Sequence, residues 1–432
     1  MADPMRADAM RADPMRADAM RADAMRADVR MKGFSARTRA ADAQRLLADR
    51  VPPLSVETIP FRRAHGRFLA SPVISDRDVP AEAKSAMDGF AVRSADLPGT
   101  LLVVATLMAA DRPDLELGAG QAARIMTGAR VPSGADTVVM VERTKLSGDS
   151  VEIAHTQPSG TNILARGEDF AKGQVVVPKG RRLRPQDVAM AVSAGTLELE
   201  VRRRPKVLII PTGNELVPVG TPSAGKIVES NSYMLEALAE RDGAEVSLHP
   251  IVRDRPEQLR DTLLSAEADL IVVTGGSSVG QEDFGPMVVR EIGELPVHGI
   301  EIRPASPTGI GFIPAANAPE KVVVLAPGFP VASLVAWDFF ARRALMAMLG
   351  ADPALPYKTV SARLAEGVTK PDRRLELPRV LLSASESGPI ARIQHGGAAL
   401  LSTATLGDGF LELPEGRAEF PAGTPLTVHL YD

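Results

Sequence analysis

The sequence predicts a multidomain chain in which an α/β domain with a parallel sheet follows a mostly β region and precedes a small β domain. The chain has 432 residues, more than one hydrophobic core usually holds, so about two to four domains are expected. From Pro205 to Gly350, short apolar strands alternate with helical stretches, the pattern of a parallel sheet covered on both faces. After Gly350 the hydrophobic period returns to two and glycine turns recur, which predicts a separate β domain.

Residues 1–34 are predicted to form a disordered extension without function. They hold tandem copies of Met-Arg-Ala-Asp, which begin at Met5, Met10, Met15, Met20 and Met25. A five-residue step spreads the methionines around a helix, so they form no apolar stripe. The first globular element is a helix predicted within 38–54, which ends before Pro52-Pro53. Residues 58–180 are predicted to be mostly β, and a short helix over 186–193 and a strand follow.

The α/β region is predicted to hold five strands and four helices. The strands are predicted over 206–210, 246–252, 270–274, 297–302 and 321–326, and the helices over 232–241, 255–267, 285–292 and 330–349. Gly243 is a favoured C-terminal cap for the first of these helices.

Composition excludes several classes of protein and of site. Hydrophobic residues make up 45% and charged residues 24%, which is typical of a globular protein. The formal net charge is −4, so neither nucleic acid nor an anionic membrane surface is expected as the main partner. Cysteine is absent, which excludes disulfides, zinc–thiolate sites, iron–sulfur clusters and thiol catalysis. No apolar run approaches the ~18–20 residues of a membrane helix, and the start does not resemble a secretory signal, so a cytoplasmic protein is expected.

Three turns at the ends of predicted strands form the candidate site. They span residues 211–215, 274–280 and 326–330, and in an open parallel sheet ligands bind beyond the carboxyl ends of the strands. In the second turn, Gly275, Gly276 and Gly280 let the backbone approach a ligand, while Ser277 and Ser278 offer hydroxyls and free amides. Such a loop before a helix suits an anion. It has neither the Gly-Lys-Ser/Thr of a P-loop nor the spacing of a dinucleotide-binding loop.

Acidic residues lie beside this loop in the sequence. Glu215 belongs to the first turn, and Glu282 and Asp283 closely follow the second, so a bridging Mg²⁺ is suggested. A plain tight turn is the alternative for the glycine loop. Thr212 and Glu215 have the spacing of a helix capping box, against which Pro218 argues. Spacing alone leaves the phosphate site and the plain turn both open. The histidines show no metal-ligand spacing, and each is interpreted as a surface or core residue.

The β region contains three further conspicuous turns. Asp88-Gly89, within Ser85–Ala91, is interpreted from its residues alone as a hairpin turn. Residues 124–128 and 167–169 are interpreted as transitions from strand to loop.

Together these turns resemble the molybdopterin molybdenumtransferase family, in chain order and over residues 38–432. The matching stretches are SAMDGFA (85–91), RIMTGARVPSGADTVVMVE (124–142), GED (167–169), TGNEL (212–216), SNS (230–232), TGGSSVG (274–280) with Asp283, RPASPTGIG (303–311) and PGFPVAS (327–333). No single stretch is decisive, but their order and spacing make the resemblance specific.

The resemblance implies an elongated homodimer with four structural regions in each chain. These are an elongated linking domain (35–80 and 162–203), an inserted β domain (81–161), an α/β domain that binds the pterin (204–350) and a small β-barrel-like C-terminal domain (351–432). Members of the family insert molybdate into adenylylated molybdopterin with release of AMP, assisted by a divalent cation such as Mg²⁺. Their cleft lies between the α/β domain of one subunit and the inserted domain of the other.

The resemblance also implies roles for individual residues. Glu215, Asp254 and Asp283 match catalytic acidic positions, and Asp283 and Glu215 are expected to handle the metal or the attacking water. Gly275, Gly276, Ser277, Ser278 and Gly280 are expected to hold the pterin phosphate. Further substrate positions are Asp88, Thr127, Glu142, Asp169, Arg303, Pro327 and Pro330.

The chain departs from the family pattern at three places. Ser306 stands where the family usually has lysine, Phe329 where it usually has asparagine, and Glu82-Ala83-Lys84 where it usually has Phe-Asp-Asn. Loss of the lysine costs about 1–3 kcal/mol of anion binding if it made a charge-assisted contact. Lys84 or Arg303 is the predicted replacement.

Two other functions compete with the transferase. A non-catalytic paralogue would bind molybdopterin or finished cofactor and carry it to a client enzyme, and the departures favour it. An adenylyltransferase would share the α/β domain but would need neither the insert nor the C-terminal domain. The acidic residues favour the transferase, with the adenylyltransferase and client molybdoenzymes as its expected partners.

Overall fold

The computed structural model describes residues 34, 36–111, 114–220, 224–277, 283–315, 318–372 and 374–431. The repeats of the N-terminal extension, together with Ser278 and Gly280 of the predicted phosphate loop, lie outside the described residues. The chain divides into two compact units, a first unit Val56–Val201 and a second unit that comprises Arg202–Asp432 and the residues up to Ser55. The four predicted domain boundaries stay predictions.

The first unit is built around a six-stranded sheet, as its short β-type segments predict. In spatial order the strands are Thr137–Met140, Gly89–Val92, Gln121–Ile125, Gly99–Leu107, Ser150–Ile153 and Lys145–Ser147. Gly99–Leu107 and Gln121–Ile125 pair in parallel, and the other neighbours are antiparallel. One face carries a core that includes Phe90, Val139 and Ile153.

The first unit also contains shorter elements. The strand pairs are Val56–Pro60 with Glu198–Arg202, Val73–Ile74 with Val175–Val177, and Lys84–Ser85 with Ile163–Leu164. The predicted helix is confirmed at Pro185–Ser193. The helix begins with proline at its first position, and Asp187 accepts a hydrogen bond from the Arg184 amide (2.9 Å). Both features stabilise the N-terminus of the helix.

The interpretation of Asp88-Gly89 as a hairpin turn is wrong. Gly89 begins a central strand that pairs on one side with Thr137–Met140 and on the other with Gln121–Ile125. A Cβ at Gly89 would lie 2.0 Å from the Val139 carbonyl oxygen. Glycine is required here because a neighbouring strand approaches closely, not because the chain reverses.

The sheet of the second unit contains the predicted strands and one more. In spatial order the strands are Glu245–Leu248, Lys206–Pro211, Leu270–Thr274, Lys321–Ala326, Gly309–Ile313 and Glu294–His298. The predicted parallel arrangement is confirmed for the first four. Gly309–Ile313 is absent from the prediction, and it runs antiparallel to both of its neighbours. The predicted strand over 297–302 is two pieces, Glu294–His298 and Ile302–Arg303.

Helices cover this sheet as predicted. They are Asn231–Arg241, Pro256–Ser265, Gly285–Ile292, and a final helix that runs as Pro330–Ala336, a π-helical turn Trp337–Ala341, and Arg342–Leu349. The final helix ends at Gly350, which adopts a left-handed φ of 60°. The predicted helix near the start of the chain is confirmed at Ala40–Arg50.

A buried polar cluster lies beside the π-helical turn. Asp338 is 5% exposed, and its carboxylate is 3.2 Å from Arg241 Nη2 and accepts a 2.8 Å hydrogen bond from the Tyr357 hydroxyl. Trp337 Nε1 donates to the neighbouring Asp242 (2.9 Å). Burial raises the pKa of Asp338 to about 6. The cluster therefore contains a carboxyl group that titrates about two pH units above an ordinary aspartate.

We expect Asp338→Asn to change how stability depends on pH. A carboxyl whose pKa is raised on folding stabilises the folded state fully below its unfolded pKa of 3.8, and this contribution is lost as pH rises through about 6. Asn has no such dependence. Relative to the variant, the wild type should lose about 2 kcal/mol of unfolding free energy between pH 4 and pH 7. Urea unfolding at both pH values measures this, with Asp261→Asn as an exposed control. A difference that does not change with pH would contradict the expectation.

The C-terminal part is a small closed barrel, as its period of two and the family resemblance predict. Its strands, in order around the barrel, are Thr359–Leu364, Ile390–Ile393, Arg379–Ser383, Gly409–Leu411 and Pro425–Leu430. The pair Val368–Thr369 with Glu419–Phe420 and the short helix Ser402–Thr405 complete it. Leu375–Glu376 pairs in parallel with Ile302–Arg303, which joins the barrel to the α/β domain. Within the described residues no helix has the length and apolar character needed to cross a membrane.

Candidate functional site

The three predicted turns meet at one cavity of about 520 Å³ at the carboxyl ends of the parallel strands. Its polar floor and its walls are formed by Thr212, Glu215, Gly275, Gly276, Ser277, Asp283, Pro327, Phe329 and Pro330, together with Asn231, Pro307 and Ala399. Thr212 donates from its amide to the Thr274 carbonyl (2.8 Å), and Gly275 donates to the Ala326 carbonyl (3.0 Å). The sheet hydrogen bonds therefore continue into the turns and hold all three loops side by side.

Gly275 is the residue at which the loops approach most closely. Its φ is +86°, and a Cβ placed there would lie 2.5 Å from the Thr212 carbonyl oxygen. A Cβ placed on Gly328 of the third turn would lie 3.6 Å from the Gly275 Cα. The second turn is therefore packed between the other two, and Gly275 and Gly276 line the cavity.

Two cationic side chains contact the backbone carbonyls of the first turn. Arg253 Nη1 lies 3.3 Å from the carbonyl oxygens of Gly213 and Asn214 and 3.1 Å from that of Leu216, and Lys226 Nζ donates to the Asn214 carbonyl (2.9 Å). These carbonyl contacts fix the conformation of the loop that carries Glu215. Both cations were missed in the sequence, because a charge far along the chain gives no local signal of the loop it holds.

Glu215 does not belong to a helix cap. The residues that follow it, Leu216–Val217, form a short strand that pairs with Ile227–Val228, so the capping-box alternative is excluded. A Cβ on Gly213 would lie 2.6 Å from Glu215 Oε2, so the carboxylate folds back over a bare glycine. This places a carboxylate at the cavity wall.

Asp254 contacts the same loop from outside the cavity wall. Its Oδ2 accepts the Asn214 amide (2.8 Å), and its own amide is 3.4 Å from Asn214 Oδ1. It lines a narrow recess behind the loop together with Arg253 and Gly285. The carboxylate of Asp254 is therefore hydrogen-bonded to the backbone of the residue that precedes Glu215.

The described part of the second turn ends at Ser277, and the next helix begins at Gly285. Ser277, which is 2% exposed, lines the cavity, and its carbonyl oxygen is 3.1 Å from His298 Nε2. Gly285, the first residue of helix Gly285–Ile292, donates its amide to the Gly276 carbonyl (3.2 Å). Asp283 lines the cavity between these two elements. The structure thus brings Gly275, Gly276, Ser277 and Asp283 together as predicted.

Hydrogen bonds from two side chains fix the backbone of the third turn. Asn231 Nδ2 donates to the Gly328 carbonyl (2.8 Å), and the Ser333 hydroxyl donates to the Pro327 carbonyl (2.5 Å). Glu229, although it also lines the cavity, accepts the Ser232 amide (2.8 Å) and so fixes the start of the Asn231 helix. Asn231 and Glu229 were not predicted as site residues, although SNS was among the matching stretches.

Arg303, predicted to bind substrate, forms ion pairs with two carboxylates. Its guanidinium is 3.3 Å from Glu376 and 3.5 Å from Asp372, both in the C-terminal part of the chain. The cation next to Ser306 is Arg374, whose Nη1 is 3.5 Å from the Ser306 hydroxyl oxygen. Pro307, which follows Ser306 at the position where the family usually has lysine, lines the cavity. Arg374, which directly precedes the strand Leu375–Glu376, was missed because it lies far along the chain from Ser306.

Of the predicted residues of the first unit, Asp88 and Thr127 contact each other directly. Asp88 Oδ1 accepts hydrogen bonds from the Thr127 amide (2.7 Å) and hydroxyl (2.8 Å), which hold the pKa of Asp88 below its usual value. The Val141 amide donates to the Asp88 carbonyl (3.1 Å). Glu142 follows Val141 in the short turn Val141–Arg143. Asp169 lies in another turn, where its amide donates to the Val79 carbonyl (3.0 Å).

Comparison with known proteins covers almost all of the globular chain. Three family models match in order: the MoeA N-terminal region (domain I and II) over residues 38–195, a probable molybdopterin binding domain over 208–347, and the MoeA C-terminal region (domain IV) over 361–431. Molybdopterin molybdenumtransferase 2 of Mycobacterium tuberculosis is 36% identical over 406 residues, which cover 89% of this chain and 97% of that protein.

Two further matches agree with these. Molybdopterin molybdenumtransferase of Nostoc sp. is 37% identical over 314 residues, which cover 69% of this chain and 72% of that protein. The crystal structure of the molybdopterin biosynthesis MoeA protein from Pyrococcus horikoshii OT3 is 31% identical, with a TM-score of 0.77 over 92% of this chain and 100% of that chain.

Proposed function

The chain belongs to the molybdopterin molybdenumtransferase family, and we propose that it inserts molybdate into adenylylated molybdopterin with release of AMP. The observation that carries this proposal is the cavity at the sheet edge, which combines a glycine turn with the carboxylates of Glu215 and Asp283. Its volume of about 520 Å³ suits a small organic ligand. The backbone amides of a glycine turn can bind phosphate oxygens. A carboxylate can accept a proton from water that attacks the phosphorus atom.

The proposed reaction has two steps. Water adds to a phosphorus of the phosphoanhydride, which breaks the bridging P–O bond and releases AMP. The two thiols of molybdopterin then bind molybdenum in place of one molybdate oxygen, which leaves as water with both thiol protons. In the first step Asp283 accepts a proton from the attacking water, and Glu215, fixed over Gly213, orients that water. Asp254 holds the loop of Glu215 in place.

A divalent cation fits this cavity by donor chemistry. Mg²⁺ prefers oxygen ligands, keeps several waters, and commonly uses one or two carboxylates together with substrate phosphates. Glu215 and Asp283 supply two carboxylates, and in the described ranges no cluster of three or more His, Cys, Asp or Glu side chains offers an all-protein cage. We propose that these two residues hold Mg²⁺ when substrate is bound. The ion would neutralise charge on the phosphate oxygens.

We further propose a cytoplasmic homodimer in which Asp88, Thr127, Glu142 and Asp169 face the cavity of the partner subunit. The support in this chain is the Asp88–Thr127 pair, whose two hydrogen bonds fix an exposed, ionised carboxylate in one orientation. The adenylyltransferase that supplies the substrate and the molybdoenzymes that receive the product are the proposed partners.

The direct test incubates the full-length protein with adenylylated molybdopterin, molybdate and Mg²⁺, and it measures AMP release and molybdenum bound to the dithiolene. Stoichiometric production of both supports the transferase. Tight binding without AMP release would instead identify the carrier paralogue, which the substitutions Ser306 and Phe329 favour. ATP consumption with free molybdopterin would identify an adenylyltransferase. Complementation of a transferase-null strain provides the same distinction in cells.

A further inference from the structure

Phe329 presents a large aromatic side chain to solvent at the wall of the cavity. It is 60% exposed, whereas Phe312, Trp337 and Phe340 of the same domain are no more than 1% exposed. An aromatic ring left in water contributes little to folding, because its apolar surface is not buried. Its position against the cavity therefore points to contact with a ligand.

The backbone that carries this ring is fixed independently of the ring. Phe329 directly precedes Pro330, the first residue of the final helix, and has an extended conformation (φ −72°, ψ 131°). Its carbonyl accepts the Ser333 amide (2.9 Å), and Asn231 and Ser333 side chains hold the two residues before it. The point at which the ring is attached is therefore preorganised, and only the side-chain torsions of Phe329 remain to be ordered when a ligand stacks on the ring.

The cavity is polar along one part of its wall and apolar along another. Gly275, Gly276 and Ser277 form the polar part, and Leu216 and Ile227 line the cavity with Phe329. Ile227 is itself 59% exposed. A ligand that joins an anionic group to a planar ring matches this division, because the glycine turn suits the anion and the ring gains from aromatic contact.

We propose that Phe329 is a specificity-determining residue that stacks on a planar bicyclic nitrogen heterocycle of the substrate. Two rings of the proposed substrate have this chemistry, the pterin and the adenine, so the inference rests on the proposed function. An amide side chain recognises the hydrogen-bonding edge of such a ring. Phenylalanine contacts its face, which gives affinity that depends on ring area and much less on the pattern of donors and acceptors.

Equilibrium binding to three probes tests the proposal: AMP, the uncharged pterin 6-hydroxymethylpterin, and inorganic phosphate. In Phe329→Ala, we expect the Kd of at least one ring ligand to rise roughly 5- to 150-fold, as for loss of one aromatic stacking partner, with the Kd of phosphate unchanged within about twofold. The ring ligand that weakens identifies the ring. Phe329→Trp should retain wild-type affinity, and Phe329→Leu, which keeps apolar area without a ring, should lose most of it.

Tyr233→Ala is the matched control, because it removes another exposed aromatic ring (49% exposed) that does not line this cavity. It should leave the affinities for all three probes unchanged. If the wild type releases AMP and Phe329→Ala binds both rings with wild-type affinity, the stacking inference is overturned and the proposed function stands. If the wild type binds neither rings nor phosphate, the proposed function fails together with the inference.

Discussion

Replacing Asp283 by Asn is expected to lower the rate of AMP release about 10²- to 10⁴-fold, the range typical for loss of a general base. The carboxylate lines the cavity beside the glycine turn, and the amide of Asn cannot accept a proton from water. The variant keeps nearly the same size and leaves the backbone of Gly275 and Gly276 intact. Binding of inorganic phosphate should therefore change by no more than a few-fold.

Single-turnover conversion of adenylylated molybdopterin measures the rate of the chemical step, and equilibrium binding measures the affinity for inorganic phosphate. Glu240→Gln is a suitable control, since this carboxylate is exposed at the end of helix Asn231–Arg241 and does not line the cavity. Wild-type conversion by Asp283→Asn would remove the residue from the reaction. If high Mg²⁺ restores the rate, loss of metal binding and not loss of the proton acceptor accounts for the effect of Asp283→Asn.

Prediction from the sequence succeeded where an apolar period defines an element locally. Strands Lys206–Pro211, Leu270–Thr274 and Lys321–Ala326 are short β-branched runs that end in glycine or proline turns, so both the strands and the turns were predictable. Strand Gly309–Ile313 was missed because two of its five residues are glycines. A Cβ on Gly311 would lie 2.4 Å from Val289 Cγ1, so this glycine is there to let a helix pack closely. Such a requirement is tertiary and leaves no period in the sequence.

The candidate site shows the same division between local and long-range signals. The convergence of the three turns follows from parallel strands that end at one edge, and it was predicted. Three long-range contacts were not predicted: Arg253 with the first turn, Asn231 with the third turn, and Arg374 with Ser306. In each pair the two residues are far apart in the sequence. Arg303 was assigned to substrate by resemblance, yet its charge is bound by Glu376 and Asp372. Charge at a sequence position does not reveal which carboxylate it meets after folding.

Among the glycine-to-alanine substitutions in the turns of the site, Gly275→Ala is expected to cause the largest losses of stability and of phosphate affinity. The left-handed φ of +86° disfavours a side chain by about 1–2 kcal/mol, and the new Cβ would lie 2.5 Å from the backbone oxygen of Thr212, which cannot move without disturbing the sheet. Overpacking of this kind typically adds about 1–3 kcal/mol. We therefore expect a loss of about 2–5 kcal/mol in unfolding free energy, the sum of these two ranges, and phosphate binding weakened at least 10-fold.

Two neighbouring glycines make the experiment selective. Gly328→Ala, on the third turn, introduces a Cβ whose nearest neighbour is at 3.6 Å and has no left-handed φ, so it should change stability and phosphate affinity little. Gly276→Ala combines a φ of +57° with a contact of 3.3 Å to the Thr212 hydroxyl, so its effect should be intermediate and the protein should still fold. Urea unfolding and phosphate titration of the three variants give both quantities. If Gly276→Ala folds and binds phosphate as the wild type does, the glycine turn is only a tight turn, and the anion must be held elsewhere in the cavity.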